Sequence, residues 1–183
     1  MKKAELRLTG SGGQGVILAT IILAEAGFFD KKKVVQSQSY GPEARGGMCK
    51  AEVVIDEKPI TYTKVAVPNF LLSLTQASFN QYHETVTDDA VVMVDQTVQV
   101  PEDYRKSHNV IMIPILETAS DVIGNPMSAN IVAVGAINEA LGLCTEESLE
   151  KSVLSRIPKG TEDLNIRALH AGITLVKASN NRN

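Results

Sequence analysis

Residues 10–15 read Gly10-Ser11-Gly12-Gly13-Gln14-Gly15, a G-x-G-x-x-G pattern whose chemistry is that of anion binding. Glycines permit a tight turn and let another molecule approach the backbone closely. A helix that begins just after them offers unpaired N–H groups to a phosphate. A conventional dinucleotide site also needs a carboxylate about 20 residues further on to hold the ribose. Here that stretch is Gln36-Ser37-Gln38-Ser39, with no acid before Glu43. An ordinary NAD site is therefore disfavoured. Another phosphate or pyrophosphate ligand, or a tight turn shaped only for packing, remains open.

A second glycine-punctuated stretch, Ser39-Tyr40-Gly41-Pro42-Glu43-Ala44-Arg45-Gly46-Gly47, offers a ring, a carboxylate and a guanidinium between turn-forming residues. Such a set can form an internal ion pair with a ring stacked on it. Its concentration among four glycines favours contact with something external. In a doubly wound sheet both loops belong at one edge, facing one crevice. The candidate binding residues are Gly10, Gly12, Gly13, Gln14, Gly15, Tyr40, Gly41, Arg45, Gly46 and Gly47.

The rest of the chain offers little for catalysis. Cys49 and Cys144 stand far apart, whereas structural zinc and iron–sulfur clusters usually take about four soft ligands. His83, His108 and His170 lack metal-ligand spacing, and no serine or cysteine forms a nucleophile motif with them. No metal centre and no catalytic residue is expected in this chain alone. Lys64 and Asp95, near strand ends, read as structural.

The elements that must position the loops follow from hydrophobic patterning. Residues 4–9 alternate as a strand, and residues 14–28 form a helix that is apolar on nearly every face. That helix is either buried in the middle of the fold or meets another protein. Residues 34–38 and 49–55 read as strands, with 60–63 returning as the partner of a hairpin across the turn Asp56-Glu57-Lys58-Pro59. Residues 68–83 suggest a helix opened by Pro68, and Val91–Val94 and Val110–Ile113 are short apolar runs typical of buried parallel strands. Ala129, Ala133, Ala136 and Ala140 give a helix over 128–141 a thin face, stopped by Gly142. Thr145 and Thr161 mark helix starts near 146 and 162. The expected fold is α/β: a single three-layer domain with a mostly parallel sheet, one antiparallel hairpin and a helical C-terminal part.

Composition narrows the function further. The 183 residues are 44% hydrophobic with a net charge of −3, which argues against a nucleic-acid surface. The Lys31-Lys32-Lys33 run reads as a solvated loop. No stretch nears the roughly 18 apolar residues of a membrane span. Met1-Lys2-Lys3 is not followed by the apolar segment of a signal peptide. A cytoplasmic protein without membrane or nucleic-acid partners is expected.

The glycine loop together with Gln38-Ser39-Tyr40-Gly41-Pro42-Glu43-Ala44-Arg45-Gly46-Gly47 resembles the gamma subunit of 2-oxoacid:ferredoxin oxidoreductases, with the wording of the second loop most like the 2-oxoglutarate branch. The resemblance extends through Ala51-Glu52-Val53-Val54-Ile55, the segment from Asn130 to Gly142 and that from Asn165 to Gly172, so that residues 1–183 are expected to be one gamma-type domain. It implies alpha and beta partner subunits bearing thiamine diphosphate, iron–sulfur clusters in partner chains, a ferredoxin-like chain as a further candidate partner, and ferredoxin as electron partner. The reaction so implied joins a 2-oxoacid and coenzyme A into an acyl-CoA and CO2, or runs in reverse. The gamma chain carries no cofactor of its own, with coenzyme A at or near its glycine loops. A stand-alone nucleotide-binding dehydrogenase is the alternative.

Overall fold

A computed structural model describes residues 3–40 and 47–181. Six strands form one sheet: β1 (Ala4–Ser11), β2 (Lys33–Tyr40), β3 (Met48–Asp56), β4 (Phe70–Ser73), β5 (Val91–Asp95) and β6 (Asn109–Ile113), in the order β2-β3-β1-β4-β5-β6. β1, β4, β5 and β6 run parallel, while β3 is antiparallel to both neighbours. The sheet is thus mostly parallel, as expected, with β2 and β3 as its antiparallel hairpin.

Helix α1 (Val16–Phe29) follows β1, and three helices close the chain: α5 (Ala129–Leu141), α6 (Glu146–Arg156) and α7 (Glu162–Asn180). These four share the larger core with one face of the sheet, through Leu6, Leu8, Val53, Phe70, Leu72 and Met93. The opposite face carries α2 (Gln76–Tyr82) and α3 (Glu102–Ser107) over a smaller cluster including Leu71, Phe79, Val92 and Val94. Successive residues of β4 and β5 therefore serve opposite cores, which is why both strands are apolar on both faces. A short turn of helix, α4 (Ile115–Glu117), widens into residues 118–122 before α5. The three layers are as expected.

α1 lies between the sheet and α5 and α6, and only Phe28 of its large apolar side chains is exposed. Its all-round apolar character is explained by burial within the fold. α5 and α7 approach so closely that a Cβ on Gly135 would overlap the carbonyl oxygen of Leu169, and one on Gly172 that of Val132. Ala129, Ala133 and Ala136 are buried on the same helix, the thin face anticipated from their spacing.

Two elements differ from expectation. Residues 68–83 are not one helix: Phe70–Ser73 is β4, wholly buried between β1 and β5, and the helix is confined to Gln76–Tyr82, capped by Thr75. A run of three apolar residues suits a buried strand as well as a helical turn, and the vacancy beside β1 decides it. Nor do residues 60–63 return as a strand. Both edges of β3 are already taken, by β1 and β2, so no pairing is left for them.

Smaller features agree or shift in mechanism. Gly142 closes α5 at φ 61°, its N–H bonded to Asn138 O at 2.8 Å. Thr145 caps α6 through Ser148 N at 3.3 Å. α7 starts after Thr161 as expected, but that hydroxyl turns back to donate to Pro158 O at 2.7 Å rather than capping the helix. Lys31–Lys33 turn from α1 into β2, with Lys31 at φ 61° and the Lys32 ammonium donating to Leu143 O.

Candidate functional site

Gly10 and Ser11 are the last residues of β1, paired with Cys49 and Met48 of β3. The chain then turns: Gln14 N donates to Ser11 O at 3.2 Å, and Ser11 N donates to the Gln14 side-chain oxygen at 2.7 Å. Gln14 is thus the internal strut of the loop, and its amide lies against Gly10, where a Cβ would overlap it. Gly15 sits at φ 72° as the N-cap of α1, and its carbonyl accepts the first helical bond from Ala19 at 3.0 Å.

The motif glycines differ in what surrounds them. A Cβ on Gly15 would come within 2.6 Å of the Asn130 amide nitrogen, so bareness there is demanded by packing. Gly13, at φ 97°, is exposed, and a Cβ on it would meet none of the described residues within 4 Å. Gly12 is exposed as well. No side chain caps α1 and its first turn carries no acid, so neither of these neutralises the positive end of the helix. The loop offers backbone donors beside open space.

The second glycine stretch reaches the same edge. β1 and β2 both run antiparallel to β3, so the β2–β3 connection emerges at the end of the sheet where β1 stops. Gly12 N donates to Gly47 O at 2.9 Å. The expected convergence is therefore present at Gly12 and Gly47, through β3 rather than by direct neighbourhood of β1 and β2. Gly41, Arg45 and Gly46 lie outside the described residues, as does the ring of Tyr40.

Several groups are spent on structure. Asp95 is fully buried and accepts from Thr97 N, Thr97 Oγ1 and Leu116 N at 3.0, 2.6 and 2.9 Å. Lys64 is exposed. Burial pushes the Cys49 thiol up from its ordinary range and the Cys144 thiol up to about 12.

Sequence reasoning missed three constellations. Arg7 and Glu52, facing each other across β1 and β3, form a buried ion pair at 2.7 Å, and Arg7 also donates to Val65 O at 3.1 Å. That pair anchors the segment between β3 and β4 on the face opposite α1. Glu146 and Glu150 of α6 close on His170 of α7 at 3.2 and 2.8 Å, so the fold supplies a proximity that spacing did not. All three are solvent-accessible and clasp the two helices. The third is Asn130, whose meeting with Gly15 depends on where α5 begins. The alternation of β1 and β3 could have revealed the first. No sequence signal marks the other two.

Comparison with known proteins gives this geometry its family. The sequence model of the pyruvate ferredoxin/flavodoxin oxidoreductase family matches residues 5–175, and the chain belongs to that family. Its likeness within the family is to gamma-type chains. It is 43% identical over 178 residues to the 2-oxoglutarate synthase subunit KorC of Methanocaldococcus jannaschii, covering 96% of this chain and 95% of that one. The gamma subunit of a keto/oxoacid ferredoxin oxidoreductase from Geobacter sulfurreducens superposes with a TM-score of 0.87 at 37% identity, over 97% of this chain and 98% of that one. A 2-oxoglutarate:ferredoxin oxidoreductase from Magnetococcus marinus, solved with 2-oxoglutarate, coenzyme A and succinyl-CoA bound, has the same fold in 32% of a longer chain, matching 97% of this one. Its TM-score is also 0.87, and at 18% identity the likeness is one of fold.

Proposed function

We propose that this chain is, over residues 1–183, the gamma-type domain of a cytoplasmic 2-oxoglutarate:ferredoxin oxidoreductase, where its glycine loops border the path of coenzyme A. The complex converts a 2-oxoacid and coenzyme A into an acyl-CoA and CO2, passing two electrons to ferredoxin, or runs the reverse. Thiamine diphosphate and the iron–sulfur clusters belong to alpha, beta and ferredoxin-like partners. This chain supplies assembly and anion recognition, and carries no redox centre.

One observation carries the coenzyme A reading. The exposed backbone at Gly13 has no described residue within 4 Å of where a Cβ would stand, beside an uncapped, acid-free helix N-terminus, while the Gly12 N–H is committed to Gly47 O. Phosphate oxygens accept from such backbone donors, and the helix dipole favours their charge. Gly10, Gln14 and Gly15 hold the loop in shape. Tyr40, Gly41, Arg45, Gly46 and Gly47 are assigned to the facing rim, with Arg45 pairing a carboxylate or phosphate. The substrate assignment rests on the likeness to the 2-oxoglutarate synthase subunit of M. jannaschii.

A dehydrogenase reading is disfavoured by topology. In a dinucleotide site the second strand lies beside the first and presents the ribose-binding acid, whereas here β3 intervenes and β2 carries Gln36, Ser37 and Gln38. Gln36 is committed to Thr20 Oγ1 at 3.1 Å.

Co-purification and reconstitution test the proposal. The chain should come with larger chains that bear thiamine diphosphate and clusters, and should be inactive alone. The assembled complex should prefer 2-oxoglutarate in kcat/KM. A tenfold preference for pyruvate or 2-oxoisovalerate, about 1.4 kcal/mol, would overturn the substrate assignment and leave the family unchanged. Turnover by the isolated polypeptide would overturn the subunit role.

A further inference from the structure

Three ligand-type side chains converge away from the glycine loop, where α6 begins beside the far end of α1. Glu146 and Glu150 stand four residues apart on α6, so both project from one face of that helix. His170 comes to them from α7. Its Nε2 lies 3.2 Å from Glu146 Oε1 and 2.8 Å from Glu150 Oε1. The three ligand atoms all lie within 4.8 Å of one another.

Acids in the first turn of a helix are ordinary, and Glu146 and Glu147 by themselves would mark nothing. The imidazole changes the chemistry. It carries at most one proton on Nε2, and one N–H cannot point squarely at two carboxylates. Ion pairing alone therefore satisfies one glutamate and leaves the other as a like charge close by. A divalent cation has no such limit, because it takes a lone pair from each of the three groups together.

The geometry suits a metal of the zinc type. Ligands about 2.1 Å from zinc lie about 3.4 Å apart at tetrahedral angles, and both separations from Nε2 are near that edge. Glu146 and His170 are exposed and Glu150 is half-buried, so the side chains can settle around an ion and water can fill the fourth position. One imidazole with two carboxylates favours zinc over magnesium or calcium, which prefer oxygen throughout. The expectation of no metal centre rested on sequence spacing. Spacing hides a ligand that lies 20 residues beyond Glu150 and reaches it only through the packing of α7 on α6.

We propose that Glu146, Glu150 and His170 form a zinc-type cation site that pins α6 to α7. Its role is structural, clamping two of the helices that cover the larger core. It is independent of the coenzyme A reading.

Zinc titration of the metal-free, full-length chain tests this. Calorimetry in a buffer that does not bind metal should show one site, with a dissociation constant in the micromolar range or below. The melting temperature should rise by roughly 5–10 °C once free zinc stands about a hundredfold above that constant. His170→Ala should weaken binding at least a hundredfold and abolish the rise. Glu150→Gln keeps an acceptor for the ring but removes a charged ligand, and should weaken binding at least tenfold. It carries the test if His170→Ala does not fold. Magnesium should bind at least a hundredfold more weakly than zinc. An ion-pair clasp without metal predicts instead that zinc leaves the wild-type melting temperature unchanged, and that result overturns the proposal. Zinc binding that survives intact in the folded variants, saturation only at millimolar zinc, or equal affinity for magnesium overturns it as well.

Discussion

Where α5 crosses α7, Gly135 and Gly172 are walled in by backbone: a methyl group on either would overlap a carbonyl oxygen of the other helix. At the end of β1, Gly13 has no described residue within 4 Å of the same imagined atom. One residue type thus meets two demands. In the crossing, absence of a side chain lets two helices touch. In the loop, φ of 97° suits glycine, while no described residue fills the room above it. Space that a protein keeps bare without using it for packing is a pointer to a ligand. The crossing also makes the loop possible, because it fixes α5, and with α5 the placement of Asn130 against Gly15.

The comparison can be broken at the crossing first. Gly172→Ala should cost about 3 kcal/mol by overpacking, since rigid backbone rather than a pliable side chain stands in the way. For a chain of this size that lowers the melting temperature by roughly 10 °C. Thermal melts of the isolated chain measure it. A loss below 1 kcal/mol would mean that α5 and α7 can separate at no great cost, and the crossing is not the fixed point described.

Gly13→Ala should behave in the opposite way. The left-handed conformation costs a residue with a Cβ about 1–2 kcal/mol, but no clash adds to it. Stability should fall modestly, while KM for coenzyme A in the assembled complex should rise by about tenfold or more. If stability falls as far as in Gly172→Ala while KM stays put, the loop is a packing turn.

The smallest effect is expected at the other end of α1. Asp30 accepts from Thr145 N, Thr145 Oγ1 and Ser148 Oγ at 2.7, 2.8 and 2.5 Å, tying the end of α1 to the start of α6. Partial burial raises its pKa, but the hydrogen bonds from Ser148 and Thr145 outweigh it and hold the carboxyl below its ordinary range. A depressed folded-state pKa gives stability that is complete above the unfolded value, near pH 4, and lost as pH falls through the folded value. Asp30→Asn should therefore lower stability at pH 7 by less than about 1 kcal/mol, because solvent screens so exposed a carboxylate. Melts compared from pH 7 down to pH 2.5 should show the two proteins converging in acid. A gap that widened in acid would contradict this assignment.

The parts of the fold visible in the sequence were those whose patterns have one reading. Val91–Val94 and Val110–Ile113 are short, β-branched-rich apolar runs bounded by turn residues, and both are strands, β5 buried inside the sheet and β6 half-buried at its edge. The alanine spacing of α5 announced a close crossing, though not that Gly135 and Gly172 would make it. Phe70–Ser73 was illegible because Leu74 and Phe79 continue its apolar pattern at helical spacing, and only the gap beside β1 resolves the ambiguity. The glycine loop was legible as a local motif, since its turn, strand and helix are contiguous. Its relation to Gly47 and Asn130 is long-range, created by β3 entering between β1 and β2 and by α5 packing on α1. No local pattern encodes either contact.

The two cysteines carry a consequence for handling and for company. A thiol whose pKa stands at about 12, as at Cys144, is almost wholly protonated at neutral pH, and Cys49 is shifted the same way. The thiolate is the form that attacks alkylating reagents, exchanges disulfides and binds soft metals. Both side chains are therefore sluggish partners in all three reactions while the fold is intact. In a complex whose other chains are proposed to hold iron–sulfur clusters, such quiet thiols would neither compete for iron nor cross-link when the assembly meets air.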